Sequence, residues 1–402
     1  MTGLARFANY SFIRSDILVE HVEEADFLLG LRQVALRSSD YDLPALAKLE
    51  RRLDAHLDGL VVGGERTQYE LSAELTADDP WRVAAMAAGL LAMGDPGVRR
   101  QVFALVPEGG AHANPGISEA LRYLPLQPEV ERELSAWLES PSPGRLALAW
   151  VVLGCHRVAM AANPVPLVSH EDPAVRGAVA AAIGSGQRRH PDLLAGLWRD
   201  EDAAVRVRAG QARARSGDPG LLPDLRAAVS SPGSPAPWEI ELLACLGDET
   251  DAKLLAARLT DEVLEAPRIE AVADALATLG MPESVPALLN AMEGDTPVAR
   301  AAGQAFERIT GVDLPAMPEE EQSPEEEDES FEDTRPRPDP ARCRELWADL
   351  GEDWSPGVRR RGGEELDSQQ WLAQPAGGDL RTRREEITRL CYSEPEAWRT
   401  LE

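Results

Sequence analysis

Only a few side chains in this 402-residue sequence have types and spacing that could do chemistry. His170-Glu171 sets an imidazole beside a carboxylate. A metal centre needs several such ligands converging from different helices, and none of His21, His56, His112, His156 and His190 is followed by Glu. The dipeptide therefore reads as a solvated turn pair. Cys155-His156 offers a thiol and a base, but adjacent residues of a helix point about 100° apart. The pair reads as buried helix residues. Arg176, Arg206 and Arg208 follow valines in a recurring segment. Such arginines can reach the capping aspartate of a neighbouring repeat, which makes Asp172/Arg206 and Asp202/Arg176 candidate rungs of a structural ladder. The alternative is a ligand-facing basic strip. Trp347, Trp354 and Trp371, with Arg359 and Arg360, are candidate partner-binding residues, or core of a small module. There is no glycine-rich phosphate loop, HExxH or GxSxG. No catalytic, cofactor-binding or metal-ligating residue is expected.

The elements that position these residues follow one pattern. In Glu171-Asp172-Pro173-Ala174-Val175-Arg176, Asp172 is placed to cap a helix and Pro173 takes its first position. Val175, Val179, Ala182 and Ile183 form one apolar stripe, and Gly184 is expected to end the helix in the left-handed conformation. The pattern returns at Asp202-Ala203-Ala204-Val205-Arg206, and more weakly at Asp79-Pro80 and at Asp295-Thr296-Pro297-Val298. Register marks fall at Gly94, near Leu124, and at Gly154, Gly184, Gly217, Gly247, Gly280 and Gly311. The steps are 30, 30, 30, 33, 30, 33 and 31 residues. One such helix cannot bury its own stripe, but a stack can.

The chain divides into four segments. Residues 1–64 carry two longer amphipathic patterns, 13–37 and 43–58, without the repeat signature, and read as an N-terminal helical cap. Residues 65–311 are the repeat array, with longer loops at 107–116 and 230–237. Residues 312–340 are acidic and Pro-rich: ten of the fifteen residues from Glu319 to Asp333 are acidic. That composition predicts an extended, disordered linker. Residues 341–402 form a small Trp-rich module, with a helix expected over 381–391. The predicted fold class is all-α: a HEAT-like α-solenoid of about seven helical pairs with a cap, linker and C-terminal module.

Composition narrows the function classes. Aromatic residues make up only 5%, which suits close-packed Ala/Leu/Val helices. The formal net charge is -28, and -18 remains without the acidic linker. Such a surface repels phosphate backbones and anionic lipid, so neither nucleic-acid binding nor membrane insertion is expected. The four cysteines form no close pair and read as reduced thiols. No signal peptide and no membrane-spanning run is seen, so a cytoplasmic location is expected.

The Asp-Pro-x-Val-Arg-x-x-Ala signature resembles HEAT repeats of the short, phycobilisome-lyase-like kind. The stretches 17–28 (Ile17 to Phe27-Leu28), 41–60 (Tyr41-Asp42-Leu43-Pro44 to Gly59-Leu60) and 306–314 (Phe306-Glu307-Arg308-Ile309-Thr310-Gly311) add a more specific likeness. So do Pro356-Gly357-Val358-Arg359 and Gly363-Glu364-Glu365-Leu366. They resemble an uncharacterised bacterial HEAT-repeat family associated with type VI secretion gene clusters. The resemblance implies a non-enzymatic scaffold or adaptor whose partners are proteins, among them secretion-system components. It implies no catalytic residues. Two other classes stand against it. One is a lyase-like HEAT enzyme or a small-molecule- or metal-binding HEAT protein. The array is similar, for example, to deoxyhypusine hydroxylase, whose kind holds two irons through several His-Glu pairs where this chain has one. The other is a HEAT-like DNA glycosylase, which the charge opposes.

Overall fold

The computed structural model describes residues 14–72, 75, 79–106, 113–185, 190–259, 265–315, 337–373 and 378–394. The chain is an all-α, HEAT-like array of paired helices, and it forms two compact units. The first unit comprises the described residues within 1–213 and 375–384, the second those within 214–374 and 385–402.

In the first unit, α1 (Ser15–Ala35) and α2 (Leu43–Gly63) pack as a hairpin. The side chain of Asp42 caps α2 by accepting from the amide of Ala45 at 2.7 Å. Leu18, Val22, Ala25, Leu28 and Leu29 of α1 meet Leu46, Leu49, Leu53, Leu57 and Leu60 of α2 in one continuous core. Helix pairs follow: α3 (Glu65–Ser72) with α4 (Pro80–Ala92), α5 (Pro96–Ala104) with α6 (Ala113–Tyr123), and α7 (Pro128–Trp137) with α8 (Pro143–Cys155). Next, a 3-10 turn (Leu167–Ser169) stands in for the first helix before α9 (Pro173–Ser185). Then comes α10 (Pro191–Leu197) with α11 (Ala203–Arg215). Segment 378–384 also belongs here: Leu380 is buried in the core and its amide donates to Tyr41 O at 2.7 Å.

Aspartates start these helices as the sequence predicts. Asp79, Asp95, Asp172 and Asp202 each accept from amides of their own first turn. Asp295 does not: its side chain makes no capping bond. The stripe residues Val175, Val179, Ala182 and Ile183 are all buried.

Six of the seven register glycines do one of two jobs, and Gly247 ends the helix Pro237–Leu246 in an extended conformation instead. Gly94, Gly217, Gly280 and Gly311 have φ between 64° and 71°, the left-handed turn that ends a helix. Gly184 does not, contrary to expectation; it lies inside α9 and is buried. A Cβ at Gly184 would stand 2.6 Å from Ala212 Cα, and one at Gly154 would stand 2.8 Å from Ala182 Cα. Here the missing side chain lets consecutive second helices touch backbone to backbone.

The second unit continues the pattern. Helix α12 (Leu221–Ser230) pairs with α13 (Pro237–Leu246), α14 (Glu249–Arg258) with α15 (Ala266–Leu279), and α16 (Val285–Ala291) with α17 (Thr296–Thr310). Among the described residues between 65 and 311 there are thus seven α-helical pairs, as expected, and one further unit in which the 3-10 turn precedes α9. Of the linker 312–340, residues 316–336 lie outside the described residues. Its two ends meet, because Asp339 N donates to Pro315 O at 2.8 Å. Then come α18 (Pro340–Gly351), a hairpin of β1 (Arg360–Arg361) and β2 (Glu364–Glu365), α19 (Ser368–Leu372) and α20 (Leu380–Ser393). Gly362 and Gly363 form the hairpin turn with φ of 59° and 82°.

Candidate functional site

The motif arginines are structural, but their partners differ from the predicted ladder. Arg176 is 6% exposed and binds Asp200 through both carboxylate oxygens at 2.7 Å. Its remaining nitrogen donates to His170 O at 2.8 Å and Glu171 O at 3.1 Å. It therefore clamps its own turn and ties it to the next one. The predicted partner, Asp202, is instead committed to its own helix, accepting from Ala204 N at 2.9 Å and Val205 N at 3.1 Å. Arg206 repeats only half of the arrangement, donating to Asp200 O at 2.7 Å and Glu201 O at 2.9 Å. It does not pair with Asp172, whose carboxylate caps α9 through Ala174 N at 2.8 Å. Asp172 and Asp202 each spend the carboxylate on amides of their own first turn. Asp200 sits just before the cap, accepts from Asp202 N at 2.9 Å, and still meets Arg176 with both oxygens. The guanidinium of Arg176, chiefly by hydrogen bonding, holds the Asp200 carboxyl below its usual range. Arg226 makes the corresponding tie in the second unit, binding Asp251 at 2.7 Å with both oxygens.

The C-terminal module places its charged residues inward. Arg359 is 6% exposed and meets Glu386, fully buried, at 2.7 and 2.8 Å. Arg308 and Arg361 share Glu385, at 2.8 and 3.0 Å. Three arginines thus face two glutamates. The excess positive charge lies against the carbonyl end of α15, where the helix dipole is negative. Arg359 donates to Leu279 O at 3.0 Å and Thr278 O at 3.1 Å, and Arg361 donates to Ala277 O at 2.7 Å. The hairpin turn does the same for α17: Gly362 N and Gly363 N donate to Arg308 O and Ile309 O, both at 2.9 Å. Arg389 donates to Cys245 O and Gly247 O at the end of α13. One module thereby satisfies the last carbonyls of three successive second helices. Burial, then the charge of Arg308, pushes the Arg361 guanidinium down to about 9, while Glu385 opposes that shift. It remains a cation at neutral pH.

These contacts correct the partner-binding assignment of Arg359 and change that of its neighbours. Arg359 is consumed within the unit because a buried charge needs a partner. Arg360 stacks over Trp354 at 4.5 Å, and Trp354 meets Trp347 edge-on at 5.2 Å. All three, and Trp371, are half-buried. Trp398 lies outside the described residues.

The two sequence pairs weighed for chemistry separate in space. His170 Nδ1 accepts from Asp172 N at 3.0 Å, which makes it a turn residue. Cys155 is exposed rather than buried, because it is the last residue of α8. His156 turns away to the carbonyl of Leu121 at 2.8 Å. Among the described residues no group of three or more His, Cys, Asp and Glu is gathered as for a metal ion. Sequence reasoning missed one pair, His21 and His56, whose Nδ1 atoms lie 3.1 Å apart between α1 and α2. Their separation of 35 positions carries no local signal; only a hairpin register aligning α1 with α2 could have revealed it.

No family model and no curated protein matches the chain. Among solved structures it is similar to the Mot1 N-terminal domain in complex with TBP, at 13% identity and a TM-score of 0.38. That match covers 83% of this chain and 55% of the other, so the chain spans about half the length of the Mot1 domain. It is also similar to an engineered protein, at 15% identity and a TM-score of 0.33, over 93% of this chain and 98% of that one. Human deoxyhypusine hydroxylase in complex with glycerol aligns at 16% identity and a TM-score of 0.21, over 72% and 96%.

Proposed function

We propose that this protein is a non-enzymatic scaffold or adaptor that binds a protein partner along its helical repeats. In this reading it works in the bacterial cytoplasm, with components of a type VI secretion system among its partners. The observation that carries the reading is the repeat architecture itself. The helix pairs pack apolar faces on their neighbours, and Arg359, Arg361 and Arg389 of the C-terminal module are spent on helix ends. What remains for function is the outer surface of the helical repeats of each unit, the kind of surface repeat proteins use to hold other proteins. The sequence likeness to the secretion-associated family supplies the context. Exposed apolar residues of α1 support a protein partner over a small solute: Phe27 is 60% and Val34 62% exposed, two helical turns apart.

The test is crosslinking with mass spectrometry in the native bacterium, using the full chain as bait. Recovery of secretion-system components supports the reading. Their absence from a folded, well-expressed bait removes the secretion assignment, and recovery of no protein partner removes the scaffold itself.

A further inference from the structure

We propose that His21 and His56 form a two-histidine site for a divalent late transition-metal ion, with water completing the coordination. Imidazole suits such ions, and copper(II) is the tightest binder of the series. The two rings come from facing helices of the α1/α2 hairpin and stand edge to face, with centroids 5.2 Å apart. Their Nδ1 atoms are 3.1 Å apart. Two nitrogens bonded to one ion at ~2.0 Å are separated by ~2.9 Å as cis ligands of a square plane and by ~3.3 Å on a tetrahedron. The observed spacing falls between the two.

The pair is also built into its helices. A Cβ at Gly59 would lie 2.5 Å from His21 Nε2, so the ring as placed occupies the space that this glycine leaves open. Neither imidazole makes any other hydrogen bond among the described residues. Two Nδ1 lone pairs cannot face each other at this distance without a positive centre between them. That centre is either one shared proton or one metal ion. Both rings are half-buried, so an ion and its waters can enter from solvent.

The experiment adds copper(II) to the untagged full chain at neutral pH. It follows stoichiometry by titration and coordination by electron paramagnetic resonance. The expected result is one ion per chain with hyperfine coupling from two imidazole nitrogens. His21→Gln and His56→Gln should each weaken binding by at least about tenfold, since even outer partners of a metal ligand are worth that much. His170→Gln should bind as the wild type does. Wild-type affinity in either pair variant would overturn the proposal, because the contact would then hold only a proton. Should a variant lose its helical circular dichroism, the wild-type spectrum decides alone: coupling to fewer than two imidazoles overturns the site.

Discussion

At the scale of single residues, the repeat motif's arginine is a tie between turns. Arg176 and Asp200 form a bidentate pair whose side chains are 7% and 8% exposed. Removing one partner strands the other's charge away from water, so Arg176→Ala should destabilise the first unit by about 3 kcal/mol, measured by chemical denaturation. The pH dependence has a definite sign. The folded Asp200 carboxyl is held below its unfolded value, so its stabilisation is present above about pH 4 and is lost as pH falls through the folded value. The deficit of Asp200→Asn against wild type should therefore be constant near neutrality and narrow below about pH 4. Two glycines inside helices differ in their sensitivity. Gly184→Ala drives a methyl into Ala212 of α11, the second helix of the next pair, and should cost about 1–3 kcal/mol despite the better helix propensity of alanine. Gly196, with nothing within 4 Å of its Cβ position, should accept alanine with unchanged or slightly raised thermal stability.

At the scale of elements, the C-terminal module acts as a set of caps for the helices of its own unit. The sequence suggested arginines waiting for a partner; in the fold they have already found one. Glu386 is the residue on which this depends, since it holds Arg359 with both oxygens and accepts from Ser368. Glu386→Ala should destabilise the second unit by about 3 kcal/mol and speed amide exchange at the end of α15. Gly311 is a second control point. Its φ is 71°, and a Cβ there would stand 2.5 Å from Gly362 O. Gly311→Ala should thus loosen the hairpin from α17, seen as faster proteolysis within residues 355–366, with the first unit's melting unchanged.

At the scale of the whole molecule, charge and repetition set what the protein can bind. With a net charge of -28 it should fail to shift DNA or RNA in a gel even at low salt. Among the described residues no helix is long and apolar enough to cross a membrane. Phe27→Asp with Val34→Asp, both exposed, should leave the melting temperature unchanged while reducing partner recovery in crosslinking.

The sequence by itself determined the elements. Asp-Pro starts, apolar stripes and a near-constant step of 30 to 33 residues are local and periodic, so they can be read without coordinates. It also marked Arg176 as a residue of consequence. Tertiary structure alone decided the pairings: Asp200 instead of Asp202, Glu386 for Arg359, His21 against His56. The physical reason is that a helix start and a stripe are satisfied within one turn or one face, whereas a buried charge is satisfied by whatever the fold brings within about 3 Å. Gly184 shows the same division. Its thirty-residue spacing was visible in the chain, but whether that spacing meant a helix end or a place for two backbones to touch was settled by Ala212, 28 residues further on.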